Sequence, residues 1–543
     1  MQPDDLLRTK WYHGQLMAFS ALDGPTDYAD GLVARTVVEP DGIEIRDPGV
    51  LRIRFTHPPE SGIRFGGDFF SFDTAHGVTR GCLVDAHHLL IEGACIFDDP
   101  GPELTVRTRS GRLLAGATVR FDESHLGSDL DDLMARRSQW LLARDIPGDV
   151  SARTRRTLAR VFAQMKHQVY SPEGNFSRRW TTPDRWPHKD MWLWDTAFHA
   201  VGWRHLDPEL AAEMIDTLFE LQRDDGFLTY RGTPRGPYFH LGDNVTQPPV
   251  LAHAADLVHR ISQDDRWIES LYPKIAACVE WDFANRDSDG GGLMEWYIED
   301  DPHCRSGESG MDNSPRFDRA CTLDAVDFNA YLARECEILA VWAARFGQEA
   351  EALRWKERHA TLCRLLNERC WCEKSGFYFD YDPATGRRSD VWACVGFLPL
   401  YCGAAGPEQA RQLAEKLRDP GFFGTALPIP SIAACDTAHY SKDLCRGPVW
   451  IQINWLIASG FERYGLHTEA DFIRSATQSA IEDGCETYGV PFEYYDDRGE
   501  VAPPDLDRKG RNAPEVSPYH QVIHDFGWTA TLYLDMVLRE PIW

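Results

Sequence analysis

Apolar positions along this chain follow two different periods. Between Leu32 and Phe121 they alternate with polar ones, in runs separated by Gly, Pro and Asp. Ile43-Glu44-Ile45-Arg46, Leu51-Arg52-Ile53-Arg54-Phe55 and Leu104-Thr105-Val106-Arg107 all read with period two. Ser110-Gly111 separates the last of these from a run between Leu114 and Phe121. Alternation buries one face of a strand, and small turn residues close hairpins, so a β-sandwich-like region is predicted. Residues 122–149 read as a connector with a helix, carrying Leu126, Leu130, Leu133 and Met134.

Beyond Asp149 the period becomes helical. Leu158, Val161, Phe162, Met165 and Val169 recur at three- and four-residue steps. Asp207-Pro208 starts a helix with the stripe Ala211, Met214, Ile215, Leu218 and Leu221, ended by Asp224-Asp225-Gly226. Further helices are predicted over 251–261, 268–281, 328–346, 349–366, 408–417, 450–464, 469–482 and 528–538. Long segments rich in Gly, Pro, Trp and Asp lie between them, and long ordered loops usually carry function. About 390 residues at roughly 65 per helical hairpin gives six hairpins, which suits an (α/α)6 barrel with its loops gathered at one mouth. An open solenoid would show a short internal repeat, and none is present. The predicted organisation is mostly α: a β-rich domain at 1–122, a helical linker at 123–149 and an (α/α)6 domain at 150–543.

Charge narrows the partners. Lys and Arg total 57 against 84 Asp and Glu, a net charge of −27 over 543 residues. Such a surface repels phosphate backbones and anionic head groups, so neither nucleic acid nor membrane is an expected partner. With 18 Trp, 18 Tyr and 27 Phe, disorder is excluded as the dominant state. Flat aromatic faces also suit sugar rings, although Trp fills cores as well. The start, Met1-Gln2-Pro3-Asp4-Asp5-Leu6-Leu7, lacks the basic and apolar regions of a signal peptide. No apolar run reaches about 18 residues, so no transmembrane helix is predicted. The 14 Cys are irregularly spread, and Cys278, Cys336 and Cys394 sit in apolar runs. Cys370 and Cys372 form a CxC pair without a second pair at zinc spacing. A reduced, cytoplasmic protein is expected, with no metal site and no cofactor. The β-rich region offers a surface for a homo-oligomer.

Four loop segments concentrate carboxylates, aromatics and Arg. The first runs from Trp186 to His199 and holds Trp192, Trp194 and Asp195. A Trp face can stack on a pyranose, and Asp195 can accept sugar hydroxyls or cap the following helix. The second is Gly242-Asp243-Asn244-Val245-Thr246-Gln247-Pro248-Pro249, where Gln247 precedes a rigid helix entry. The third, Glu308 to Asp318, sets acids at 308, 312 and 318 around Arg316, between Gly310 and Pro315. Neighbouring carboxylates raise one pKa, as a general acid needs. The fourth, Tyr488-Gly489-Val490-Pro491-Phe492-Glu493-Tyr494-Tyr495, places Glu493 among rings, and Phe526-Gly527-Trp528 follows. Cleaving a glycosidic bond takes two carboxylates, one to protonate the leaving oxygen and one to activate water or attack carbon. Asp312 and Glu493 come from different hairpins, and a toroid would bring such loops together.

Seven strings then occur in one order: Thr182-Pro183-Asp184-Arg185-Trp186-Pro187, Trp192-Leu193-Trp194-Asp195-Thr196-Ala197-Phe198-His199, Thr246-Gln247-Pro248-Pro249, Glu308-Ser309-Gly310-Met311-Asp312-Asn313-Ser314-Pro315-Arg316, Arg446-Gly447-Pro448-Val449-Trp450, Phe492-Glu493-Tyr494-Tyr495 and Phe526-Gly527-Trp528. Together they resemble glycoside hydrolase family 63, especially its compact bacterial mannosylglycerate and glucosylglycerate hydrolases. The resemblance implies an (α/α)6 catalytic domain and an inverting exo-hydrolase of α-glycosides. It implies Asp312 as general acid and Glu493 as general base. Trp192, Trp194, Asp195, Gln247, Arg316, Trp450 and Trp528 are implied as walls and hydroxyl partners of the sugar, with Arg446 as a partner or a buttress of its loop. The expected reaction releases a hexose, glucose first, from a small α-glucoside or α-oligosaccharide. Two features depart from the compact members: the β-rich region before Asp122, and the long charged segment 496–525 with Pro503-Pro504, Arg508, Lys509 and Arg511, which reads as a solvated loop or a lid over the aglycone. Rival readings are a glycoside phosphorylase, a sugar epimerase or lyase using His188, His199 or His240, and a catalytically inactive carbohydrate-binding protein.

Overall fold

A computed structural model of the chain describes residues 7–237, 244–510 and 516–538. Its contacts divide it into two compact units. Unit 1 comprises Met1–Asp190, Ile481–Phe492 and Ile523–Leu534; unit 2 comprises Met191–Ala480, Glu493–Val522 and Asp535–Trp543. The change of texture near 150 does not coincide with this division. The first long helix, Ala152–His167, belongs to unit 1. Its charges hold it there: the buried Lys166 ammonium lies 2.7 Å from Asp23 and 3.3 Å from Asp68, and Arg160 lies 2.6 Å from Asp525.

Unit 1 carries the predicted strand texture. In chain order the strands are β1 (Leu16–Ala18), β2 (Val33–Val37), β3 (Gly42–Asp47), β4 (Leu51–Phe55), β5 (Ser61–Phe65), β6 (Phe69–Thr74), β7 (Gly77–Asp85), β8 (His88–Glu92), β9 (Cys95–Phe97), β10 (Leu104–Arg109) and β11 (Arg112–Ala117). One sheet has the order β1-β2-β3-β4-β9 and the other β10-β11-β8-β7-β6-β5, and all neighbouring pairs are antiparallel. Side chains from both sheets form a single apolar cluster, including Ile43, Ile53 and Phe55 from one and Phe70, Phe72, Leu83 and Leu113 from the other. Trp11 inserts its indole edge-on against Phe55, Phe70 and Phe72 at 5.4–5.5 Å. Such pairs add about 0.5–1.5 kcal/mol each beyond area burial. The β10–β11 hairpin turns at Ser110 and Gly111, both with positive φ (52° and 78°), which matches the twist of the flanking strands. The strand ends at Ala117, short of Phe121, because Thr118–Arg120 coils into a 3₁₀ turn. Helix α1 (Leu130–Leu142) is capped by Asp129, and α2 (Ala152–His167) by Ser151.

Unit 2 is helical. It contains α3 (Leu193–Trp203), α4 (Pro208–Leu218), α5 (Leu251–Ser262), α6 (Asp265–Asn285), α7 (Val326–Arg345), α8 (Glu349–Leu365), α9 (Pro407–Arg418) and α10 (Ile451–Arg463). Helices α11 (His467–Tyr488) and α12 (Gly527–Leu538) contain residues assigned to both units. Asp207 caps α4 by accepting the Leu210 N–H at 2.9 Å, as its Asp-Pro start predicts. Two classes of helix alternate. Every residue of α3 is buried, as are nearly all of α10 and most of α7. By contrast α9 buries only Ala410, Leu413, Ala414 and Leu417, a one-sided stripe. Among the mostly buried helices, α3 packs on α5 and α5 on α7, while α7 and α10 both pack on the 3₁₀ segment Cys394–Leu400. Asp195 does not cap α3. It lies inside the first turn, and the N-cap position falls on Trp192, whose side chain makes no capping bond.

Candidate active site

The functional segments of unit 2 are the ends and connections of these helices. Residues 306–318 form a loop with two 3₁₀ turns, Gly307–Ser309 and Pro315–Phe317. Gly310 adopts φ 67°, and a Cβ there would stand 2.3 Å from the Trp194 ring, so only glycine lets the loop lie against that indole. The three acids of this loop do not share Arg316, contrary to the sequence reading. Glu308 is fully buried and takes Arg286 at 2.6 Å, together with the backbone N–H groups of Thr246 and Tyr297. Asp318 takes a fork from Arg446 at 2.8 and 2.6 Å. Asp312 takes Lys509 at 2.5 Å. Arg316 meets Asp327 and Asp380 instead, with four hydrogen bonds of 2.6–2.9 Å. Its side chain is 1% exposed, so it sits as an interior strut rather than as a group facing open space. A buried guanidinium needs two carboxylates to offset its lost hydration, and no acid of its own loop supplies them.

Glu493 leads into Tyr494–Tyr495, a two-residue strand paired with Val449–Trp450. The Trp450 ring stacks on Tyr494 at 5.1 Å, and its indole N–H donates to the Leu444 carbonyl. Arg508 forks onto both Glu493 oxygens, at 2.9 and 3.1 Å. Residues 508 and 509 thus place a cation on each of the two carboxylates singled out from sequence. Within the 496–525 segment, residues 506–510 are tied down rather than solvated. Asp507 pairs with Asp443 in a short parallel bridge, its carbonyl accepts the Leu444 N–H and the Tyr494 hydroxyl, and Gly510 N–H donates to Asp443. Lys442 pairs with Asp496 and Asp497 further along. Arg511 lies outside the described residues. Neither Arg508 nor Lys509 stands out in the sequence beyond its place in a charged run. Their pairing is a long-range contact with no periodic signature.

Electrostatics differ among these groups. Burial, the largest single influence, pushes the Asp312 carboxyl up, but the Lys509 charge and hydrogen bond, the Arg508 charge and the Cys304 thiol together outweigh it, and the net shift is downward. Glu299 goes the other way. Burial, with the Asp312 charge adding to it, raises its carboxyl to about 7 against the lowering effect of its bond from the Gly307 N–H. Sequence reading did not select Glu299, because nothing local marks it.

The remaining expected residues are placed as follows. The Gln247 side-chain carbonyl accepts the Trp194 N–H at 3.2 Å, so the second loop locks the start of α3. Gly242, Asp243 and His240 lie outside the described residues. Trp194, Asp195, Gln247 and Trp450 are all buried. Trp192 is partly exposed, with Arg231 over its ring at 5.1 Å. Arg446 also donates to the Asn313 carbonyl at 3.0 Å and so braces the residue after Asp312. Trp528, with Phe526 beside it at 4.4 Å, belongs to unit 1 and is buried there. His199 is enclosed, and burial lowers its imidazole to about 3. His188 bonds Asp184 at 2.6 Å in unit 1. Among the described residues two groups bring metal-type side chains together: Asp85, His88 and His125, and Asp287, Asp289 and Glu295. Both ring nitrogens of His88 already bond, to Asp85 and to the Asp122 N–H. Arg369 brings a guanidinium to Asp324 and the Gly291 carbonyl beside the acidic group.

Two carboxylates, each met by a cation of one dipeptide, thus lie among aromatic side chains of unit 2, and comparison with known proteins gives the family. Residues 187–529 match the model of the mannosylglycerate hydrolase MGH1-like glycoside hydrolase domain. A mannosylglycerate hydrolase of Rubrobacter radiotolerans is 26% identical over 67% of this chain and 94% of that protein. A glucosylglycerate hydrolase of Mycolicibacterium hassiacum is 25% identical over 60% of this chain and 92% of its own length. The crystal structure of the family 63 mannosylglycerate hydrolase from Thermus thermophilus in complex with glucose superposes with a TM-score of 0.57 at 25% identity, covering 70% of this chain and all of that one. The protein is a glycoside hydrolase. It belongs to the mannosylglycerate hydrolase MGH1-like group of glycoside hydrolase family 63.

Proposed function

We propose that this enzyme is an inverting, exo-acting α-glycosidase that releases one hexose from a small α-glycoside, with Asp312 as general acid and Glu493 as general base. The observation that carries the reading is the convergence of one dipeptide, Arg508-Lys509, on both carboxylates, although these lie 181 positions apart in the chain. Asp312 protonates the glycosidic oxygen as the bond from C1 to that oxygen breaks. A water molecule adds to C1 from the opposite face and gives its proton to Glu493. In the inverting geometry the two carboxyl groups stand roughly 6.5–9.5 Å apart, leaving room for that water. Trp192, Trp194 and Trp450 wall the sugar, Asp195 and Gln247 orient it, and Arg446 braces the acid loop. The alternation of buried and one-sided helices supports an (α/α)6 barrel for this part of the chain. The enclosed, neutral His199 weighs against an epimerase that would use it. The names of the relatives make α-mannosylglycerate and α-glucosylglycerate the first substrates to try, before neutral α-glucosides. Anomer-resolved NMR of the product across that panel tests the reading: a β-hexose as first product supports inversion, and an α-hexose or a sugar phosphate overturns it.

A further inference from the structure

Residues 508 and 509 are consecutive, yet both side chains reach a carboxylate. In an extended segment neighbouring side chains point to opposite faces. Lys509 breaks the alternation with φ 55°. The two ion pairs also differ in kind. Arg508 and Glu493 are 5% and 4% exposed and held by a two-point fork, whereas Lys509 and Asp312 meet through one contact and are 19% and 24% exposed. An ammonium on a flexible stem can change partners at small cost, and a planar fork cannot. The groups that face Asp312 are Lys509, Arg508, the Cys304 thiol, Cys445 and the Glu299 carboxyl, from three loops of unit 2. Lys509, Arg508 and Cys304 favour its ionised form, and Glu299 opposes it when charged. A general acid must enter the reaction carrying its proton. With Lys509 in this position Asp312 is held in the form that has none to give.

We propose that Lys509 is the positioning residue of the acid: its ammonium holds Asp312 in the resting enzyme and moves to an oxygen acceptor on the aglycone when substrate binds, so that Asp312 takes up a proton from solvent and passes it to the glycosidic oxygen. This rests on the reading of Asp312 as the acid. The glycosidic oxygen is the first atom of the aglycone, so a cation touching the acid faces the aglycone rather than the hexose. An aglycone carboxylate or a pair of hydroxyls beside that oxygen is the chemistry that competes best for the ammonium. Substrates with such an acceptor thereby switch on their own acid.

Lys509→Met keeps the stem and removes the charge. The high-pH limb of the kcat/KM profile reports the acid in the free enzyme. In the variant it is expected to move up by about 1–3 pH units, the usual effect of removing a neighbouring opposite charge. The limb of the kcat profile should move less, because in the complex the ammonium has already left. Lys509→Arg should restore the wild-type limb. Coincident kcat/KM limbs in the Met variant and the wild type, or equal movement of both profiles, overturn the proposal. A second measurement needs no turnover. In protein labelled with [4-¹³C]aspartate, the carboxyl resonance that disappears in Asp312→Asn should titrate at higher pH in Lys509→Met than in wild type. An unchanged midpoint overturns the proposal even if every α-glycoside is cleaved. If no α-glycoside is cleaved, the proposed function falls, and this titration still decides the coupling of Lys509 to Asp312.

Discussion

Each unit contains a lysine held against aspartate, and the two lysines live in different surroundings. In unit 1 Lys166 and Asp68 are both 0% exposed, with Arg137 and Asp23 completing the cluster. In unit 2 the Lys509–Asp312 pair keeps about a fifth to a quarter of each side chain in contact with solvent. A fully enclosed pair has no other partner to turn to, so it acts as a staple, and breaking it leaves a bare charge in the interior. A pair with one open side has water, and then a ligand, as competitors. The same two residue types therefore make a fixed joint in one unit and an exchangeable contact in the other, and access to solvent is what separates them.

The largest expected effects break the open cluster. Asp312→Asn and Glu493→Gln should each reduce kcat by about 10²–10⁴-fold, the usual contribution of a general acid or base. Circular dichroism should stay that of the folded protein, and near-normal turnover in either variant would remove it from the mechanism. In the closed cluster the effect should be on stability instead. Asp68→Ala leaves Lys166 and Arg137 to share the single carboxylate of Asp23, an under-compensated buried charge that should cost up to about 3–5 kcal/mol in denaturant unfolding. Turnover per folded molecule should hold, so a loss of activity without loss of stability would contradict the staple.

Smaller effects sharpen the contrast. His167 beside the closed cluster is lowered to about 4, with burial the largest cause and the neighbouring Asp68 partly opposing it, and His199 is lowered to about 3 by burial. Their folded values lie below the unfolded value of about 6.5, so the unfolded chain binds protons first as pH falls. Stability from these residues is complete above about pH 6.5 and is lost as pH drops toward 4. A urea midpoint that stays flat between pH 7 and pH 4.5 would show that burial is not keeping them neutral. Gly310→Ala is expected to cost about 1–3 kcal/mol through crowding of the Trp194 ring. It should also lower kcat by displacing the loop of Asp312, and wild-type kinetics with wild-type stability would show that the loop tolerates the extra methyl group.

Much of the secondary structure was legible because it is local. The period-two runs at Ile43–Arg46 and Leu51–Phe55 fall in β3 and β4, and Ser110-Gly111 is the turn expected between β10 and β11. The Asp-Pro start at 207 caps α4. Less legible was Asp195, whose place inside α3 depends on a helix that begins at Leu193, three residues before a cap at Asp195 would start it, against the locked Gln247 side chain. The unit to which α2 belongs was also hidden, since its stripe of apolar residues says only that one face is covered, while Lys166 and Arg160 choose what covers it.

By itself the sequence determined the periods, the turns and the family, each of which is written within a few neighbouring residues or in the order of short strings. Tertiary structure alone decided the partners of the charges. Glu308, Asp312 and Asp318 sit within one loop around Arg316, yet they pair with Arg286, Lys509 and Arg446, and Arg316 pairs with Asp327 and Asp380. Every buried charge must be offset where it lies. Which opposite charge arrives there is set by how helices bring distant loops together, and no spacing along the chain records it.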